Sequence, residues 1–142
     1  MDDVMNFKEF YENFDFIFGE DITPEDADMA YKMAKKYGIG VLSDKDLYAI
    51  IKDGDEVVGG LWTSWLSSEF SFDIVVNEKY QGQGLGSKLA DMAIQTYNQD
   101  KEAYEEPVMR AYVVNPSMEK ILARKGFEVE NRMPGQTVMV KK

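Results

Sequence analysis

The 142-residue chain contains no cysteine and no histidine, and only four prolines. Without cysteine there is no disulfide framework and no thiolate nucleophile. Without histidine there is no Ser-His-Asp triad and no imidazole base, and zinc loses both of its preferred ligands. Carboxylates are the only remaining hard ligands for a metal, and no metal is expected. Long apolar runs are missing too: none approaches the ~20 residues that span a bilayer. The opening residues, MDDVMNFKEF, are acidic and lack the basic and apolar regions of a signal peptide. The expected location is the cytoplasm.

Bases are scarce relative to acids, 16 against 26, for a net charge of −10. Residues 1–28 hold ten of the acids and one base, Lys8, so nearly all the imbalance lies in the first fifth of the chain. Such a surface repels phosphate backbones and anionic membranes, which excludes nucleic acid and lipid as expected partners. It either serves solubility or attracts a cationic molecule or a basic peptide. Apolar residues make up 44% of the chain, an ordinary globular composition, and the length suits one domain over 1–142.

Periodicity outlines the elements. Phe7, Phe10, Tyr11, Phe14 and Ile17 fit an amphipathic helix over 6–17, although Phe14, Phe16 and Phe18 alternate as in a strand. Thr23, Pro24 and Asp26 open a helix as N-cap, N1 and capping-box residue, with Lys35 and Lys36 in its last turn before Gly38. Strands are expected over 47–51, 57–66 and 70–76, forming a meander turned at Asp53-Gly54-Asp55 and Ser67-Ser68-Glu69. Gly59 and Gly60 mark a bulge or a close approach. Trp62 and Trp65, three apart, should point to opposite faces, as core residues first and acceptor-pocket lining second. A helix over 85–98 follows, with Leu85, Leu89, Met92, Ala93 and Thr96 inward. After a polar loop come a strand over 108–114, a helix over 116–125 capped by Asn115 and ended by Gly126, and a hairpin of 127–132 and 137–140 around Pro134-Gly135-Gln136. This order implies an α/β (α+β) fold: one mixed, mostly antiparallel sheet with helices on both faces.

The segment that carries chemistry is Gln81-Gly82-Gln83-Gly84-Leu85-Gly86, between a strand and a helix. Glycines at every second position let successive amides point into one concavity, with the positive end of a helix immediately behind. That is an anion site for a diphosphate, to which Ser87 can add a hydroxyl. A Walker A loop is excluded because Gly86-Ser87-Lys88 has the wrong order. A Rossmann loop is excluded because the spacing is G-x-G-x-G and the loop follows a meander rather than a first strand. The pattern Q/R-x-x-G-x-G/A, which holds the diphosphate of coenzyme A, fits Gln81, Gly84 and Gly86 position by position.

Two stretches, IVVNEKYQGQGLGSKLADMAI (74–94) and VVNPSMEKILARKGFEVENR (113–132), resemble the GCN5-related N-acetyltransferase (GNAT) superfamily. The likeness runs from about 47 to 140. It is weak over 1–46, which reads as a divergent, acidic, helical N-terminal part. It implies a GNAT-like acyl-CoA N-acyltransferase fold with acetyl-CoA lying in a V-shaped split between strands 70–76 and 108–114. It further implies that the backbone of Ile74, Val75 and Val76 meets the pantetheine arm and that Gln81, Gly82, Gln83, Gly84, Leu85, Gly86 and Ser87 hold the diphosphate. Asn115 would lie near the pantetheine.

The implied reaction is transfer of an acetyl group directly to a primary amine on a cationic small molecule or a basic peptide, by a monomer or homodimer. The amine must lose a proton first. Without histidine the base has to be a carboxylate, and Asp73 and Glu69 are the candidates. Glu78 belongs to the surface. Family members often carry a tyrosine four residues before the Gly-Phe pair as proton donor to the leaving thiolate. Leu122 stands there and cannot donate. Tyr112 is a substitute. The alternative readings are a catalytically weak or inactive CoA-binding domain, or an acidic module that binds a basic protein through 1–28.

Overall fold

The computed structural model describes residues 14–37 and 45–142. The chain runs β1 (Asp15–Phe18), α1 (Pro24–Lys36), β2 (Asp46–Asp53), β3 (Glu56–Leu66), β4 (Glu69–Val76), α2 (Leu85–Asp100), β5 (Val108–Val113), α3 (Pro116–Arg124), β6 (Glu128–Met133) and β7 (Gln136–Lys141). Short 3-10 turns follow β1, β4 and α2. The seven strands form one sheet in the order β1-β2-β3-β4-β5-β7-β6. Every neighbouring pair is antiparallel except β4 and β5, which run parallel.

One segment departs from the helical expectation. Residues 15–18 are an edge strand paired to β2, with Phe16 opposite Ile51 and Ile17 opposite Ile50. Both faces of the sheet are covered here, so the strand buries apolar groups on each side. Phe14 and Phe16 pack on one core and Ile17 on the other. Alternation therefore wins over the helical spacing, and the rest of the expected helix, 6–13, lies outside the described residues. Gly38, the expected helix stop, lies outside them as well.

The other elements form where their sequences place them. Thr23 Oγ1 accepts from the Asp26 amide at 3.1 Å, which caps α1. Asn115 Oδ1 accepts from the Ser117 amide at 2.7 Å, which caps α3. Two cores sandwich the sheet. Leu85, Leu89, Ala90, Ala93 and Tyr97 of α2 and Leu122 of α3 pack on Phe70, Phe72, Ala111 and Val113. On the other face Ala30, Met33 and Ala34 of α1 pack on Ile50, Val57, Trp62 and Val75. The inward stripe of α2 is thus rotated from the expected one. Ala90 and Tyr97 are fully in, while Met92 and Thr96 are half-buried and the Thr96 hydroxyl bonds back to the Met92 carbonyl.

Trp62 and Trp65 do face opposite ways, into the two cores. Trp65 stacks on Tyr104 with ring centroids 3.8 Å apart. Gly60 leaves room for the Trp62 ring, since a Cβ there would stand 2.8 Å from it. A Gly60→Ala substitution should therefore lower the urea midpoint by an amount corresponding to roughly 1–3 kcal/mol, the cost of overpacking. An unchanged midpoint would show that the ring moves aside freely.

Candidate active site

The two parallel strands part company midway. Their register runs from Glu69 opposite Val108 to Phe72 opposite Ala111 and stops there. β4 continues to Val76, while β5 continues to Val113 paired only with β7 on its other side. Beyond Phe72 the facing edges of β4 and β5 diverge, and the gap opens into a cavity of about 730 Å³. Ile74, Val75 and Val76 form one inner wall and Val114 and Asn115 the other.

The loop after β4 is fastened at several points. The Asn77 amide donates to the Val58 carbonyl at 2.8 Å, and Gln81 Nε2 donates to the Val76 carbonyl at 3.0 Å. The Tyr80 hydroxyl donates to Asp53 Oδ2 at 2.7 Å. That hydrogen bond, followed by burial and the charges of Asp53 and Glu56, pushes the Tyr80 pKa up to about 12, so the phenol keeps its proton and the tie to the β2–β3 hairpin holds. The Glu78 amide donates to the Tyr37 hydroxyl at 3.0 Å, which joins the loop to the end of α1.

The loop delivers α2 with its N-terminus facing the cavity. Gly84 is the N-cap, in the left-handed region at φ +83°, and among the described residues no side chain makes a capping hydrogen bond to the helix. The first helical bond is donated by Lys88 to the Gly84 carbonyl, so the amides of Leu85, Gly86 and Ser87 precede it. Gly82, Gly84, Gly86 and Ser87 line the cavity. At Gly86 the absent side chain matters because a Cβ would stand 2.9 Å from Met118 Cε; the first turns of α2 and α3 meet there.

The lining is charge-selective. Among the described residues, Lys120, Arg124 and Lys125 border the cavity and no carboxylate does, in a chain where acids outnumber bases 26 to 16. Positive side chains, backbone amides and a helix dipole converge on one space, an arrangement suited to a polyanion with an apolar arm.

Most residues singled out in the sequence line this cavity: Ile74, Val75, Val76, Gln81, Gly82, Gly84, Gly86, Ser87 and Asn115. Gln83 and Leu85 do not. Gln83 is half-buried beside the cavity loop and Leu85 is buried in the core. Reasoning from sequence missed Tyr37 and the face of α3 that carries Met118, Lys120, Ile121 and Arg124. The signal for α3 was its i, i+3, i+4 spacing, which sets these residues on one side of a short helix.

Asp73, Glu69 and Tyr112 lie outside the cavity lining, on the opposite face of β4 and β5. Asp73 is buried and paired with Lys45 at 3.3 Å. The Lys45 ammonium also stands 5.4 Å from the centre of the Tyr112 ring. Glu69 receives Arg110 at 3.2 Å and the Tyr112 hydroxyl at 3.4 Å. Arg110 is held in turn by both oxygens of Glu130. The three candidates thus belong to one polar network beneath the split. Burial, then the nearby Glu69, raises the Tyr112 pKa above its usual value. Leu122, where the family tyrosine would stand, is fully buried in the core. Among the described residues no group of three or more carboxylates could hold a metal ion, and no helix is long and apolar enough to cross a membrane.

Residues 44–129 match the family model described as an acetyltransferase (GNAT) domain, which is more than half of the chain. The chain belongs to the GNAT acetyltransferase family. No curated protein matches the sequence. Among solved structures, yncA of Salmonella typhimurium, determined with its cofactor acetyl-CoA, is 17% identical with a TM-score of 0.65, over 92% of this chain and 94% of that one. A GNAT family acetyltransferase of Elizabethkingia anophelis with acetyl-CoA bound is 17% identical with a TM-score of 0.61, over 92% and 99%. The ribosomal-protein-S18-alanine N-acetyltransferase of Escherichia coli is 16% identical with a TM-score of 0.62, over 89% and 92%. At these identities the likeness establishes the fold, which is that of GNAT acetyltransferases.

Proposed function

We propose that this GNAT domain is an acetyl-CoA-dependent N-acetyltransferase acting on a primary amine of a cationic small molecule or a basic peptide. The observation that carries the reading is the N-terminus of α2 opening onto a cavity at the mouth of the β4–β5 split that, among the described residues, is bordered by bases and by no acid. Acetyl-CoA, when bound, supplies an activated acyl group as a thioester. The amides of Leu85, Gly86 and Ser87 hold its diphosphate. The backbone edge of Ile74, Val75 and Val76 orients the arm. Asn115 keeps its Nδ2 donors for the same arm while its Oδ1 caps α3.

The acceptor amine enters from the face that carries Glu69, Asp73 and Tyr112. Backbone amides of β4 at the split polarise the acyl carbonyl. Holding both reactants at the gap provides much of the rate gain. Asp73 or Glu69 accepts the ammonium proton, directly or through water. The Tyr112 hydroxyl, still protonated because of its raised pKa, donates to the departing thiolate. The sign of that shift gives a prediction: kcat/KM should rise with pH as the amine deprotonates and show no falling limb before about pH 10, the ordinary tyrosine value that Tyr112 exceeds. A fall centred below pH 9 would remove Tyr112 as the acid.

Leu122 favours a second reading, a weakly active or inactive CoA-binding domain, because the core offers no hydroxyl at the family's donor position. Calorimetric titration with acetyl-CoA tests the shared premise, and no binding at millimolar concentration would overturn both. Thiol release over a panel of amines then separates them: steady CoA release with any amine selects the enzyme.

A further inference from the structure

Lys45, the residue before β2, reaches across β3 to β4. Its ammonium stands 3.3 Å from Asp73 Oδ2 and 5.4 Å from the centre of the Tyr112 ring. That place is the apex of the strand split. Phe72 and Ala111 are the last paired residues of β4 and β5, and Asp73 and Tyr112 come next, one on each strand. Phe72 and Ala111 belong to the core beneath α2, so by alternation Asp73 and Tyr112 point to the face on which α1 packs. The cavity reaches that face, since its lining includes Val75 and Tyr37, which pack in the second core. A primary amine of the chain therefore already stands beside a carboxylate and a hydroxyl that serve as base and acid in the reading above.

An arm laid from the diphosphate loop along Val76, Val75 and Ile74 brings a thioester to this apex, and holding an amine beside it raises the effective concentration of the nucleophile. The Lys45 Nζ–carbon bond forms as the carbon–sulfur bond breaks. The ammonium gives up two protons. One passes to the Asp73 carboxylate and on to water. The other replaces the proton that the Tyr112 hydroxyl hands to the thiolate. Attack by acetyl-CoA from bulk solution would instead favour Lys32, whose side chain is 76% exposed against 10% for Lys45.

We infer that Lys45 is a self-acetylation site, an acceptor for the acetyl group within the chain itself. The inference rests on the acetyl-CoA reading and goes beyond it. It is tested by incubating the unaltered chain with acetyl-CoA and no added amine, and following the acetyl content of the Lys45 and Lys32 peptides by mass spectrometry. Calorimetry measures acetyl-CoA binding in parallel. Lys45 should be acetylated at least about tenfold faster than Lys32, at a rate per molecule that dilution of the protein leaves unchanged. Lys45→Arg, which keeps a cation opposite Asp73, should lose the fast gain of one acetyl group in the intact mass. A chain that binds acetyl-CoA but acetylates Lys45 no faster than Lys32, or at a rate that falls on dilution, overturns self-acetylation and leaves the acetyl-CoA reading standing. So does a fast gain that persists in Lys45→Arg. A chain that binds no acetyl-CoA overturns both.

Discussion

Replacing Gly84 with valine should weaken acetyl-CoA binding by at least about 100-fold while lowering the stability of the domain by only roughly 1–3 kcal/mol. Gly84 holds φ +83° as the N-cap of α2. An ordinary residue in that region costs roughly 1–2 kcal/mol, and a β-branched one costs more. The peptide relieves the strain by rotating, and rotation turns the amides of Leu85 and Gly86 away from the cavity. Each amide bond to a charged ligand contributes about 1.5–3 kcal/mol, so losing two corresponds to two or more orders of magnitude in affinity. Gly84 is exposed and lies outside both cores, so the loss of stability is confined to the loop strain. Gly82→Ala is the milder companion: its φ is also positive, at +82°, but the Cβ would meet no heavy atom within 4 Å. Calorimetry on both variants measures the effect. Binding retained within tenfold in Gly84→Val would show that these amides do not hold the ligand.

The largest loss of stability is expected from Trp62→Ala, about 3–5 kcal/mol by urea unfolding. Trp62 is fully buried, lies against Gly60, and meets the Tyr31 ring edge-on at a centroid distance of 5.7 Å. With Ala30, Met33, Ala34, Ile50, Val57 and Val75 it makes the second core, which fastens α1 to the sheet. Its indole N–H finds no partner among the described residues. Trp62→Phe should therefore cost clearly less than the alanine change, because it removes an unsatisfied donor along with part of the ring. A loss below about 1.5 kcal/mol for Trp62→Ala would mean that the pocket collapses around the gap. α1 ends at Tyr37, which lines the cavity and accepts from the Glu78 amide. Loosening α1 should consequently weaken acetyl-CoA binding as well.

Local signals carried much of the fold. Thr23-Pro24 and Asn115-Pro116 each combine a side-chain cap with a proline whose missing N–H costs nothing at N1, and both helices start there. The glycine loop was legible because its spacing and its setting between strand and helix are contiguous in sequence. What escaped depended on pairings remote in the chain. The Glu69–Arg110 contact follows from the register of β4 against β5, with a helix and a loop intervening, and no local pattern sets that register. The Lys45–Asp73 pair needs β2 and β4 brought close across β3. Asp73 read as a candidate base, and nothing local showed its half-buried partner Lys45, which lies 28 residues upstream. The strand at 15–18 read two ways because four residues cannot separate a period of 2 from one of 3.6.

The sheet ends at β6, and among the described residues no strand pairs with its outer side. Every residue of β6 is exposed, and Glu128, Glu130, Asn131 and Arg132 make most of it charged or polar. The register slips between Val129 and Asn131, leaving Glu130 out of the ladder and free to clasp Arg110. An added strand would meet a kinked rim and would have to strip water from three ionised groups before gaining its first few backbone bonds. The clasp on Arg110 therefore also discourages fibre-like stacking of one molecule on the next: the slip that lets Glu130 reach inward is the same one that spoils the rim as a template.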